Sequence, residues 1–103
     1  MNKTEIIYYM QKIGKDYDTD KYKTYVLPGE GLVILKMEFE DKHIDWYVSL
    51  DELPKDKEGC ILQIEVYWDG IRRKFVEEMT KQALGFDGPH NLNNYGEIRW
   101  KQH

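Results

Sequence analysis

The stretch Leu32–Leu50, LVILKMEFEDKHIDWYVSL, reads as two antiparallel strands joined by a tight reversal. Side chains alternate across a strand, so Leu35, Met37 and Phe39 share one face of the first arm while Lys36, Glu38 and Glu40 share the other. Asp41 and Lys42 suit the reversal. Beyond them Ile44, Trp46, Val48 and Leu50 alternate against His43, Asp45, Tyr47 and Ser49. Keeping both apolar sets together fixes the register, because a slip of one residue would turn every large hydrophobe to water.

A third run, Cys60 to Trp68, carries the same alternation, with Leu62, Ile64, Val66 and Trp68 against Gln63, Glu65 and Tyr67. It is expected to be a strand of the same sheet. Its polar side then joins those of the central pair, and the outer face collects Glu38, Glu40, His43, Asp45, Tyr47, Glu65 and Tyr67. This acidic, tyrosine-bearing face is the candidate partner-binding site.

The remaining chain extends and covers this unit. Asn2, with Glu5 three positions on, resembles a capping box, and Ile6, Met10 and Ile13 recur at helical spacing until Gly14 offers a stop. A helix over about residues 3–13 is expected to lie on the inner face, widened by Ile7 and Tyr9. Tyr22–Leu27 reads as a first strand, closed by a Pro28-Gly29 turn of type II. The charged segment Asp51–Gly59, which contains Pro54, reads as an exposed loop. After Trp68, the spacing of Ile71, Phe75, Val76, Met79 and Ala83 predicts a helix over about residues 70–84 ended by Gly85. The alternative is a short strand Ile71–Phe75 followed by a shorter helix, since Arg72 and Arg73 near a helix start oppose its dipole. Ile98 and Trp100 suit a final strand.

The expected fold is therefore α+β. An antiparallel meander of four to five strands has an N-terminal helix before it and a second helix after the fourth strand, both on one face of the sheet. Its expected core face is Leu35, Met37, Phe39, Ile44, Trp46, Val48, Leu62, Ile64 and Val66. With 103 residues and no composition break, residues 1–103 read as a single domain, able to bury roughly 60–65% of its unfolded surface. Charged residues at 33% and aromatics at 14% fit a folded chain.

The net charge of −4 disfavours direct binding of nucleic acid through its phosphates. The excess is uneven: residues 1–59 hold 9 Lys/Arg against 13 Asp/Glu, whereas residues 60–103 hold 6 against 6. One cysteine, Cys60, excludes an internal disulfide and fits a reducing compartment. Neither a leader peptide nor a membrane-spanning run is visible, so a cytoplasmic protein with no membrane partner is expected.

Enzymatic signatures are weak. Cys60 follows Gly59 at the start of an apolar run, a setting for a packed thiol rather than a nucleophile served by His43 or His90. His43 and Asp45 offer two metal ligands, but Glu38, Glu40 or His90 would have to supply a third, and no HxxxH or CxxC spacing supports one. The carboxylate pairs Glu38/Glu40 and Glu77/Glu78 read as solvated faces. Asp16, Asp18 and Asp20 have the opening spacing of a calcium loop, yet Lys21 and Leu27 stand where glycine and glutamate are required. Arg72-Arg73-Lys74 is too short a basic run to hold nucleic acid. No catalytic residue, cofactor or metal is expected.

Eight tyrosines and three tryptophans in so short a chain exceed what a core needs. Set among carboxylates, such rings suit contact with another protein. The segment Gly85-Phe86-Asp87-Gly88-Pro89-His90-Asn91-Leu92, followed by Trp100, is similar to a Phe-x-Gly-x-Gly-Pro-x-Asn-Leu…Trp ending of some bacterial immunity proteins of polymorphic toxin systems. It departs from that ending between Phe86 and Gly88, and the N-terminus lacks the family's aromatic-acidic-His motif. The expected function is a non-enzymatic inhibitor, monomeric or a small homo-oligomer. It would be a toxin immunity protein or a phage-encoded anti-defence protein, binding a partner with a basic or nucleic-acid-binding surface. A small-ligand or enzymatic domain and a self-associating assembly subunit are the alternatives.

Overall fold

The computed structural model describes residues 1–83 and 96–100, with side chains described through Thr80. The fold is α+β. Helix α1 (Lys3–Lys15) precedes an antiparallel meander of three strands, β1 (Tyr22–Pro28), β2 (Leu32–Phe39) and β3 (Lys42–Ser49). A 3-10 turn (Leu50–Glu52) leads to the long helix α2 (Lys57–Ala83), and the strand β4 (Gly96–Trp100) lies along the free edge of β3. The order across the sheet is β1-β2-β3-β4.

The central pair folds as its alternation requires. Val33 pairs with Val48, Leu35 with Trp46 and Met37 with Ile44, so the large hydrophobes of both arms meet on one face. The reversal sits one residue earlier than the sequence suggests, because Phe39 pairs with Lys42 and leaves Glu40-Asp41 as the loop. A two-residue hairpin loop needs a left-handed residue to match strand twist. Glu40 supplies it at φ 55, the one non-glycine residue with positive φ among those described. In the β1–β2 connection the left-handed position is Gly31, at φ 69, rather than Gly29.

α1 starts on the expected capping box: Asn2 Oδ1 accepts from the Glu5 amide at 2.8 Å while the Glu5 carboxylate reaches back to the Asn2 amide. The helix runs two residues past the expected Ile13, through Gly14. There the indole of Trp68 presses so closely that a Cβ would stand 2.8 Å from its Cζ2. Gly14 is thus a site of helix–helix approach rather than a stop.

The largest difference from expectation is Cys60–Trp68, which is helix. The meander accordingly ends at three strands instead of four or five, and α2 begins at Lys57 rather than near residue 70. Asp56 starts it, its carboxylate accepting from the Gly59 amide at 2.8 Å. Ile64 and Trp68 fit both an alternating and a helical period, but Cys60, Ile64, Trp68, Ile71 and Phe75 make one helical stripe, and all five are buried. Leu62 and Val66, expected in the core, are 61% and 57% exposed. Ile71–Phe75 is helix and not the alternative strand. With the start moved to Lys57, Arg72 and Arg73 fall in mid-helix, where Arg73 pairs with Asp69 at 3.0 Å.

Both helices pack on the same side of the sheet. Trp68 is fully buried there, its Nε1 donating to the Met10 carbonyl at 2.9 Å and so fastening α2 to α1. Tyr22, Phe39 and Phe75 form a ring cluster with centroids 4.9–6.2 Å apart, joining β1, β2 and α2. Among the described residues no helix is long and apolar enough to cross a membrane. The segment Gly85–Leu92, which carries the resemblance to immunity proteins, lies outside the described residues.

Candidate functional site

With both helices on the inner side, the opposite face of the sheet is uncovered by either of them. Four of the seven expected site residues meet on it. Glu38 and His43 are directly opposed on β2 and β3, Asp45 follows His43 by two positions, and Tyr47 lies two further on, opposite Ile34. Glu40 stands beside this group at the exposed hairpin tip, turned off the strand by its left-handed backbone.

Glu65 and Tyr67 are not part of the face. Their expected place on it follows from reading Cys60–Trp68 as a strand; as part of α2 they lie on the other side of the sheet. Tyr67 is buried against Trp46, with ring centroids 6.2 Å apart. Glu65 is exposed on α2 and, with Asp69 and Asp16, lies close enough to Tyr17 to help raise its phenol above its ordinary value, burial being the larger cause.

The outer face is also less acidic than expected. β1 contributes Lys23 opposite Glu38 and Tyr25 opposite Lys36, while Lys36 stands opposite Asp45. Glu38 and Asp45 therefore each have a lysine directly across from them on a neighbouring strand. Lys36 Nζ lies 3.3 Å from Glu38 Oε2, and His43 Nδ1 lies 3.0 Å from Asp45 Oδ1. Glu38 also hydrogen-bonds the Tyr25 phenol and, chiefly through its charge, raises it above its ordinary value; the Lys36 ammonium sits 5.9 Å from the Tyr25 ring centre. The result is a connected polar plate of Tyr25, Lys36, Glu38, His43 and Asp45. His43 and Asp45 side chains are only 13% exposed, so they are held in place before any partner arrives.

Sequence reading misses Lys23, Tyr25, Leu27 and Ile34 as parts of this face, and it places Lys36 there without counting it in the site. The signal is present: Lys23, Tyr25 and Leu27 alternate in the first strand as the polar residues do in the next two. Tyr25 and Leu27 are each 44% exposed and Tyr47 is 37% exposed, and with Ile34 they form an apolar and aromatic band beside the charged plate.

The other chemistry-bearing groups take structural places. Cys60 is buried in the first turn of α2, and that burial pushes its thiol upward, away from the thiolate. Asp18 is a clasp on the edge of β1: its Oδ1 accepts from the Thr24 amide at 2.8 Å and from the Thr24 hydroxyl at 2.7 Å. Asp16 ends α1 as its C-cap. Among the described residues no three His, Cys, Asp or Glu side chains are grouped as metal ligands, and His90 lies outside those residues.

Compared with known proteins, the chain matches no family model, no curated protein and no solved structure.

Proposed function

We propose that the chain is a non-enzymatic protein that binds and masks another protein, as a toxin immunity protein or a phage-encoded anti-defence inhibitor. The observation that carries this reading is the outer face left open by both helices, where exposed Tyr25, Leu27 and Tyr47 border ordered polar groups. Large rings with polar tips give contact area at small entropic cost, and interfaces are centred on such anchors.

Pairing the charges changes what electrostatics contributes. Lys36 lies against Glu38 and across from Asp45, whose carboxylate the His43 ring also contacts, so these groups fix the register of a partner more than they attract it. Long-range steering of a basic or nucleic-acid-binding partner rests instead on the net charge of −4. Glu40, exposed at the hairpin tip, is the carboxylate best placed to reach such a partner's cationic groups.

The test is a pull-down from lysate of the organism that carries the gene, comparing wild type with a Tyr25→Ser/Tyr47→Ser variant. A basic protein retained by wild type and lost with the variant, while the unfolding midpoint is kept, supports the reading. No retained protein, or equal retention by both forms, overturns it.

A second reading, a self-associating assembly subunit, is favoured by Leu62 and Val66, one helical turn apart and exposed on α2. Light scattering across a range of protein concentration separates it: a dimer lost in Leu62→Gln/Val66→Gln supports this reading, and a monomer throughout removes it.

A further inference from the structure

We infer that the edge of β1 facing α1 is a docking groove for an extended peptide segment of another protein carrying an acidic side chain, which adds to the sheet as a short extra strand. This surface adjoins the outer face and shares Tyr25 and Leu27 with it, but its open backbone groups belong to the strand edge and stand without the inhibitor reading.

Among the described residues β1 is a terminal strand of the sheet, with β2 as its one neighbour. In an antiparallel pair, alternate residues turn their backbone groups toward and away from the neighbour. The Thr24 amide donates to Asp18, and the Tyr22 carbonyl accepts from the Thr19 amide at 2.9 Å, so the even-numbered residues of β1 face outward. By the same alternation the N–H and C=O of Val26 face outward, as does the C=O of Thr24. None of these three groups has a hydrogen-bond partner among the described residues. Pro28, next in the outward series, has no N–H.

The open part of the edge is therefore short and bounded. Asp18 closes one end by occupying Thr24 and Pro28 closes the other, leaving one donor and two acceptors between them. An incoming strand of either direction can make three backbone hydrogen bonds there. A clasp and a proline are also what keep an exposed edge from pairing without limit.

A groove of about 410 Å³ runs alongside, lined by Gln11 and Lys15 of α1, by Asp18, and by Thr24–Leu27 of β1. An edge strand beside a helix is the arrangement that captures peptides by strand addition, with main-chain bonds giving affinity and flanking side chains giving specificity. The flanking chemistry selects the occupant. Lys15 is exposed at the groove and has no ion-pair partner among the described residues, whereas the Asp18 carboxylate already holds Thr24. Tyr25 and Leu27 offer apolar contact on the neighbouring face of the strand. A segment with an acidic residue to meet Lys15 and β-branched or aromatic neighbours fits all of these.

The experiment is selection of a phage-displayed random heptapeptide library on the immobilised chain. Enriched peptides are then measured by fluorescence anisotropy against three variants. Gln11→Trp fills the groove from an exposed helix position, Val26→Pro removes the open donor, and Lys15→Glu reverses the local charge. Enrichment of acidic, β-prone peptides whose affinity falls by about tenfold or more in Gln11→Trp and Lys15→Glu is expected, with a similar loss on methylating the backbone nitrogens of the peptide. Val26→Pro is read only if its circular dichroism matches wild type, and Gln11→Trp decides alone if it does not. No enrichment, or peptides that bind Gln11→Trp as tightly as wild type, overturns the proposal. A concentration-dependent dimer abolished by Gln11→Trp would assign the groove to a second copy and equally overturn it.

Discussion

Replacing Gly14 by alanine tests the packing of the two helices where they approach most closely. Exchanging glycine for alanine inside a helix ordinarily stabilises by up to about 1 kcal/mol. Here the added Cβ would stand 2.8 Å from Trp68 Cζ2, 3.0 Å from Cε2 and 3.2 Å from Thr24 Oγ1. Carbon atoms prefer about 3.5–4.0 Å, so the indole would have to retreat by roughly half an ångström or more. It has little freedom to do so, being fully buried with its Nε1 held by the Met10 carbonyl at 2.9 Å. Overpacking of this kind costs about 1–3 kcal/mol. The helix gain offsets part of it, and a net loss of roughly 1–2 kcal/mol remains, or about 5–10 °C in melting temperature for a chain of this size. Gly70→Ala is the matched control, because its Cβ would meet Trp46 Cη2 at an ordinary 3.7 Å. That variant is expected to gain about 0.5–1 kcal/mol. Urea unfolding followed by tryptophan fluorescence and far-ultraviolet circular dichroism measures both. A Gly14→Ala protein as stable as wild type, or a Gly70→Ala protein destabilised by more than about 1 kcal/mol, would refute this picture of the helix–helix contact.

Other substitutions probe other parts of the molecule. Glu40→Gly relieves a left-handed residue at the hairpin tip, φ 55, at the cost of glycine's greater freedom when unfolded, so a net gain of about 0.5 kcal/mol is expected in the same assay; Glu40→Val should instead lose about 1–2 kcal/mol. Trp68→Phe removes the bond to Met10 and leaves a cavity between the helices, with an expected loss of about 2–4 kcal/mol and no change of fold. Glu38→Gln should bring the Tyr25 phenol back down toward its ordinary value, read by ring-carbon NMR as pH is raised, because the Glu38 carboxylate is the main cause of its elevation. Cys60, buried and shifted away from the thiolate, should react with Ellman's reagent only as fast as the chain unfolds.

The parts of the fold visible in the sequence are those where one period admits one reading. Leu35 and Met37 facing Trp46 and Ile44 leave no second register, and Asn2 with Glu5 marks a helix start by two reciprocal bonds. Cys60–Trp68 is not legible in a short window, because Ile64 and Trp68 satisfy both the two-residue and the helical period. The longer stripe through Ile71 and Phe75 resolves it, together with Asp56 as a cap in place of a turn. The site inherits that ambiguity. Once the segment is read as a strand, Glu65 and Tyr67 have to fall on the outer face. Treating the face by its acidic residues alone also hides Lys23 and Lys36, which the β1–β2 and β2–β3 registers bring opposite Glu38 and Asp45. The limit of the open edge beside Val26 is set by Asp18 clasping Thr24, a contact that six residues of separation do not announce.

The most direct measurement of the binding-face proposal is the dissociation constant of a purified captured partner for wild type and for Tyr25→Ser/Tyr47→Ser. Loss of two exposed aromatic anchors should weaken binding by about a hundredfold or more with the unfolding free energy held within about 0.5 kcal/mol of wild type. An affinity unchanged within about twofold would contradict a binding role for the outer face of the sheet.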